Sequence, residues 1–360
     1  MNTPLDFSYE TQPARIVFRP GAAVSATPDE AARLGLRRVL VVCGGRGEDT
    51  ARAVADALGD ACAGLHAEAR MHVPVEVADR AVEAARAVGA DGCVAVGGGS
   101  AIGLGKAIAL RTGLPLIAVP STYSGSEMTP VWGLTEHGAK RTGRDPAVQP
   151  RSVVYDPELT LSLPVPLTVT SGVNALAHAV EALYAPDASP LVSLMAEEGV
   201  RAMTGALPLV AAAPGDLDAR GRALYGAWLC GACLGATTMG LHHKLCHVLG
   251  GAFGLPHAET HTVVLPYALA YNAPAVPRAI TALSRALGGT DDVPHALRAL
   301  AGDLGAPRSL AELGLKKTDL AVAAEQAVAQ TYPNPREVTL GGVLALLTAA
   351  YEGGEPSVDA

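Results

Sequence analysis

Four side chains, Asn174, His178, His243 and His257, have the spacing of a metal-ligand set whose first member cannot carry a charge. In SGVNALAHAVEALY (171–184), residues 174 and 178 lie four apart, so on a helix they share one face and could grip one ion. In GLHHKLCHVLGGAFGLPHAETH (240–261), His243 and His247 repeat that offset, and His257 follows a glycine-rich break that could fold it back toward them. Imidazoles suit zinc or ferrous iron. A catalytic divalent site usually also holds a carboxylate whose charge offsets the ion's, and a neutral amide is a poor substitute. Any one of these histidines could be a satisfied core residue; the set, with both helical offsets, reads as an active site that has lost its metal.

A second chemical feature is GCVAVGGGSAIGLGKA (92–107), where an apolar strand runs into Gly97, Gly98, Gly99 and Ser100 before a helical segment. Glycines at such a turn let backbone N–H groups approach a pyrophosphate, and the helix N-terminus adds partial positive charge. The triple glycine departs from both G-x-G-x-x-G and the P-loop, so it supports a nucleotide without naming one. In PSTYSGSEMTP (120–130), Ser121, Thr122, Ser124 and Ser126 offer hydroxyls at a neighbouring strand end, where a ribose or phosphate could lie.

The elements that must position these groups fall into two textures. Up to about residue 160, short β-branched runs such as RVLVVCGG, GCVAVGGG, LPLIAVPST and RSVVYDP alternate with Ala-rich segments of helical period. That alternation predicts a parallel sheet covered by helices. Beyond it the chain is rich in Ala, Leu and Gly at 3.6-residue spacing, which predicts an all-helical part. The expected domains are therefore 1–160, α/β and NAD(P)-binding, and 161–360, helical and catalytic. A length of 360 residues with 49% hydrophobic content supplies a large core for two domains.

A net charge of −8 and the lack of a Lys/Arg run argue against a nucleic-acid surface. No apolar stretch approaches the roughly 20 residues needed to cross a bilayer, and the N-terminus lacks a signal-peptide layout, so a cytoplasmic protein with no membrane partner is expected. Six scattered cysteines suit a reducing compartment, and the Cys230/Cys233 pair in an apolar helical run reads as core.

Together GGGSAIGLGK, PSTYSGSE, GVNALAHAVEA and HKLCHVLGGAFGLPH, in this order, resemble the iron-containing alcohol dehydrogenase superfamily and, within it, the maleylacetate reductase branch. The resemblance covers nearly the whole chain. It implies a Rossmann-like α/β domain, a helical domain, a homodimer and NADH or NADPH as cofactor. Gly97, Gly98, Gly99 and Ser100 would hold the pyrophosphate, Ser121 and Thr122 would approach the nicotinamide half, and Gly44 would join them from VVCGGRG. Asn174, His178, His243 and His257 would occupy the metal-ligand positions, with His247 beside the nicotinamide.

Two departures from the alcohol dehydrogenase pattern matter. Asn174 replaces the ligand Asp, and Gly103 replaces the Asp of GGGSxxDxAK. The first implies that no metal is used. Concerning the cofactor, VVCGGRG offers no acid for a ribose 2′-hydroxyl, while Arg46 is either a partner for a 2′-phosphate or a solvated loop residue. The implied reaction is reduction of the double bond of maleylacetate to 3-oxoadipate. A dicarboxylate needs a cationic partner, for which Lys244, Arg336 and His242 are the candidates. The rival readings are an Fe- or Zn-dependent alcohol dehydrogenase, a metal-free reductase of another enone or ketone, and a nucleotide-binding protein without turnover.

Overall fold

A computed structural model describes residues 7, 9, 14–136 and 139–357. The chain divides into two compact units, Gln12–Leu163 with Gly215–Leu224, and Pro164–Pro214 with Tyr225–Ala360.

The first unit is α/β. Its strands are β1 (Arg15–Phe18), β2 (Val39–Cys43), β3 (Cys62–His66), β4 (Gly92–Gly97), β5 (Leu116–Pro120), β6 (Val131–Glu136), β7 (Ala139–Arg144) and β8 (Ser152–Tyr155). Six of them form one sheet in the order β1-β8-β5-β4-β2-β3, and every pairing in it is parallel. Each residue of β2, β4 and β5 is buried, which is why these strands read as unbroken apolar runs rather than alternating ones. Helix Glu48–Leu58 buries Ala51, Val54 and Leu58, and helix Val75–Ala87 buries Val77, Ala78, Ala81, Val82 and Ala85, each along one stripe.

After β3 the chain returns to the far side of β2 to lay down β4, so the strand order reverses between β2 and β4. Ligands of open parallel sheets bind beyond the strand C-termini at such a reversal. The turns that leave those two strands carry Gly44 and Gly97–Ser100. The β6–β7 hairpin and the short strands β1 and β3 were not expected from the sequence, because VWGLTE, AKRTGR, RIVF and CAGLH lack a long buried run.

The second unit contains only helices and turns among its described residues. One core cluster joins Leu241, Leu245 and Leu249 to Val264, Tyr267 and Tyr271, and to Val343, Leu346 and Leu347. Cys230 and Cys233 are both buried in helix Leu217–Ala236, and burial drives both thiols upward, Cys233 to about 12, so they pack as apolar groups. No single helix of the described residues is long and apolar enough to cross a membrane.

Candidate active site

The glycine turn is built by the sheet register. Gly97 pairs with Pro120, so β4 and β5 end level, and Ser121 N–H donates to the Gly97 carbonyl at 3.1 Å. Gly97 has φ +137°, a conformation that needs glycine. Gly98 then accepts from Ala101 and Ile102 at 3.0 and 3.1 Å, and helix Gly99–Thr112 begins. The first amides of that helix have no partner within it and are available to an anion.

A Cβ at Gly98 would meet Thr122 Cγ2 at 2.9 Å and Thr122 Oγ1 at 3.2 Å, and one at Gly44 would meet the Ala69 carbonyl at 3.0 Å. Neighbouring protein thus holds both positions to glycine, which keeps the backbone of the two turns bare beside the strand ends, where a dinucleotide pyrophosphate would be held. Gly98→Ala is expected to weaken NADH binding by about tenfold or more, near 1.4 kcal/mol, by fluorescence titration. Unchanged affinity would remove Gly98 from the cradle.

Gly103 is closed by a neighbour, since a Cβ there would lie 2.7 Å from Val73 Cγ2. Arg46 is exposed on a short 3-10 turn. Lys106, not singled out from the sequence, is fully buried and donates to Thr129 O, Thr129 Oγ1 and Val131 O at 2.7, 2.9 and 2.7 Å. Burial lowers its amine to about 7, and it fastens the loop that follows Ser121 and Thr122.

The histidines gather in the helical unit from three helices. Helix Val165–Ala182 supplies Asn174 and His178, both buried; helix Leu241–Phe253 supplies His242, His243 and His247; helix His257–Asn272 begins with His257 and carries His261. The break between the last two is Gly254, whose left-handed φ of +69° caps the first helix and lets the chain fold back. Ring centroids lie 5.2 Å apart for His178 and His243, 4.9 Å for His243 and His261, 4.3 Å for His257 and His261, and 6.3 Å for His243 and His247. The three helices thus bring His178 and His243 together. His247 and His257 are exposed, and sequence reasoning missed His261.

Glu181 is the larger omission. Its carboxylate is buried and accepts from His243 Nδ1–H at 2.6 Å, and also from the backbone N–H groups of His242 at 2.8 Å, Gly240 at 3.2 Å and His243 at 3.4 Å. It therefore caps the N-terminus of helix Leu241–Phe253, where a negative charge is favoured, and orients an imidazole in the same act. A carboxylate at Nδ1 fixes that proton there and leaves Nε2 as the working atom. His243 Nε2, His178 Nδ1 and Asn174 Oδ1 are buried without a hydrogen-bond partner, so three polar atoms stand ready for a ligand. The signal was present in the sequence: Glu181 follows His178 by three and Asn174 by seven, on one helix face.

Burial, reinforced by neighbouring histidines, holds His178, His242 and His261 well below 6.5. The folded protein keeps them neutral while the unfolded chain protonates near its ordinary value. Their contribution is therefore intact above that value and lost as pH falls, at about 1.4 kcal/mol per pH unit for each ring. The melting temperature is expected to drop steeply from about pH 6.5 to about pH 5, and less steeply in His178→Asn. A flat profile would contradict neutral burial.

The family's metal positions offer three imidazoles and an amide. The nearby carboxylate, Glu181, has both oxygens committed to N–H donors. A divalent ion at Asn174, His178, His243 and His257 would have three imidazoles and no charged ligand, a set that three-histidine zinc sites tolerate but that lacks the carboxylate a catalytic divalent site usually holds. Of the candidate substrate contacts, Lys244 sits half-buried with Nζ 5.9 Å from the Tyr332 ring centroid. Arg336 stacks 4.2 Å over the Tyr271 ring and donates from Nη1 to the Tyr271 carbonyl at 2.8 Å. His242 turns to His261, Nε2 to Nδ1, at 2.9 Å.

A switch-point glycine cradle on a parallel sheet and a histidine-rich helical site define a nucleotide-dependent oxidoreductase of two parts. Residues 13–157 match the iron-containing alcohol dehydrogenase model, and residues 168–351 match the C-terminal model of the Fe-containing alcohol dehydrogenase family. The chain is 53% identical over 352 residues to the maleylacetate reductase of Sphingobium indicum, covering 98% of this chain and 99% of that one. It is also similar to the solved maleylacetate reductases of Agrobacterium tumefaciens (TM-score 0.94, 52% identity) and Rhizobium sp. (TM-score 0.94, 54% identity), each match covering 98% of this chain and 99% of the other. The chain belongs to the iron-containing alcohol dehydrogenase family and is an oxidoreductase.

Proposed function

We propose that the protein reduces maleylacetate (4-oxohex-2-enedioate) to 3-oxoadipate with NADH or NADPH and without a metal. The observation that carries this reading is His243, held by Glu181 through Nδ1 with Nε2 unpartnered, beside an uncharged Asn174. High identity to maleylacetate reductases over nearly the full length supports the same substrate.

NADH or NADPH, held at Gly44, Gly97, Gly98, Gly99 and Ser100, would supply the hydride that the alkene carbon β to the ketone takes up. Charge then develops on the ketone oxygen, and protonated His243 donates to it from Nε2 while Glu181 balances the imidazolium. His178, kept neutral by burial, and the Asn174 amide add hydrogen bonds to the same oxygen or hold the chain beside it. The α-carbon then takes one proton from water while the enol oxygen returns its proton to His243 Nε2, so that the reduction consumes one hydride and one proton in all. Lys244 and Arg336 are assigned to the two substrate carboxylates, and the assembly is assigned as a homodimer.

The deciding experiment is NADH and NADPH consumption by chelator-treated protein with fresh maleylacetate, run beside simple alcohols with NAD and iron or zinc. Rapid turnover without metal is the expected result. Activity confined to alcohols with added metal would replace this reading with a metal-dependent alcohol dehydrogenase, and binding of NADH without turnover of either would replace it with a metal-free reductase of another enone or ketone. Asn174→Asp is expected to raise divalent-ion affinity by restoring the missing charge; calorimetry showing no gain would mean that the four positions do not converge.

A further inference from the structure

We propose that His242, Cys246 and His261 form a binding site for a thiophilic divalent cation such as Zn²⁺, separate from the positions of Asn174, His178, His243 and His257. The three side chains are buried, and their donor atoms all lie within 4.8 Å of one another. His242 and Cys246 are four apart on one face of helix Leu241–Phe253, and His261 reaches them from helix His257–Asn272. His242 Nε2 lies 3.7 Å from Cys246 Sγ and 2.9 Å from His261 Nδ1.

A tetrahedral zinc ion, with bonds of about 2.0 to 2.1 Å to nitrogen and about 2.3 Å to sulfur, separates its nitrogens by about 3.3 Å and nitrogen from sulfur by about 3.6 Å. The sulfur already stands at the required distance from His242 and within 4.8 Å of the His261 donor, and the two imidazoles need to part by only a few tenths of an ångström. Thiolate with imidazole is the donor mixture that zinc prefers. This trio contains an ionisable ligand, which the family's four positions lack.

The proton balance is simple. Cys246 releases its thiol proton to solvent as sulfur binds the ion. Coordination through His242 Nε2 and His261 Nδ1 leaves one N–H on each ring, at His242 Nδ1 and His261 Nε2. The rings now share one hydrogen bond through the facing nitrogens. Ion binding therefore shifts a tautomer and releases no proton from either imidazole. The Glu181 carboxylate, 2.8 Å from the His242 backbone nitrogen, supplies counter-charge nearby.

The test uses metal-free full-length protein titrated with Co²⁺, a spectroscopic stand-in for zinc. One equivalent is expected to give a thiolate-to-cobalt charge-transfer band with tetrahedral visible bands, and Zn²⁺ should abolish both. Cys246→Ser should remove the charge-transfer band and weaken Co²⁺ binding by roughly 10²-fold, while Cys93→Ser should keep it. X-ray absorption of the zinc-loaded wild type, which needs no variant, should show one sulfur and two imidazoles at the ion. No charge-transfer band at stoichiometric cobalt, a band that survives Cys246→Ser, or an ion with only nitrogen and oxygen ligands would each overturn the proposal.

Discussion

Glu181→Gln is expected to lower turnover by about 10² to 10³-fold and to remove roughly 2 to 4 kcal/mol of stability. The carboxylate accepts four N–H groups in a site closed to water, three of them from the backbone at the start of one helix and the fourth from His243. A glutamine has the same shape but one acceptor oxygen, so its NH₂ group must face donors. It also removes the charge that balances an imidazolium and that suits a helix N-terminus. The readouts are kcat against KM, thermal melting, and the downfield proton resonance of His243 Nδ1. Loss of stability with normal turnover and an intact resonance would confine Glu181 to capping.

His243→Ala is expected to cost about 10²-fold or more in kcat, the usual worth of a group that handles a proton in the transition state. NADH affinity should stay nearly unchanged, because the cradle at Gly98 and Thr122 is untouched by the substitution. Exogenous imidazole should restore part of the lost rate, since truncation empties the space beside Glu181. Full activity in the variant would remove His243 from the mechanism.

The α/β sheet was legible because its central strands are buried on both faces and therefore appear as short unbroken apolar runs. The glycine turn was legible because three glycines follow an apolar strand, the first of them at a φ of +137° that other residues rarely adopt. The hairpin of β6 and β7 was not, since its strands carry few of the apolar residues that reveal a buried face. In the helical unit, offsets of four residues brought out His178 and His243. Glu181 escaped because the spacing was read for atoms that bind a cation, and its partners are N–H donors from a helix 60 residues further on. The link between His242 and His261 escaped for a similar reason. It depends on the angle at Gly254, which a linear spacing does not specify.

Asn174, His178 and Glu181 ride on one helix, Val165–Ala182, whose interior is almost wholly buried. Their mutual distances are set by helical rise and turn rather than by loop conformation. His257, by contrast, is exposed and follows a glycine hinge. The site thus has one wall that mutation can hardly move without unfolding the unit, and another that tolerates change. Libraries aimed at new substrates should therefore gain most from residues 254–257, leaving the buried helix as a fixed frame against which selection can work.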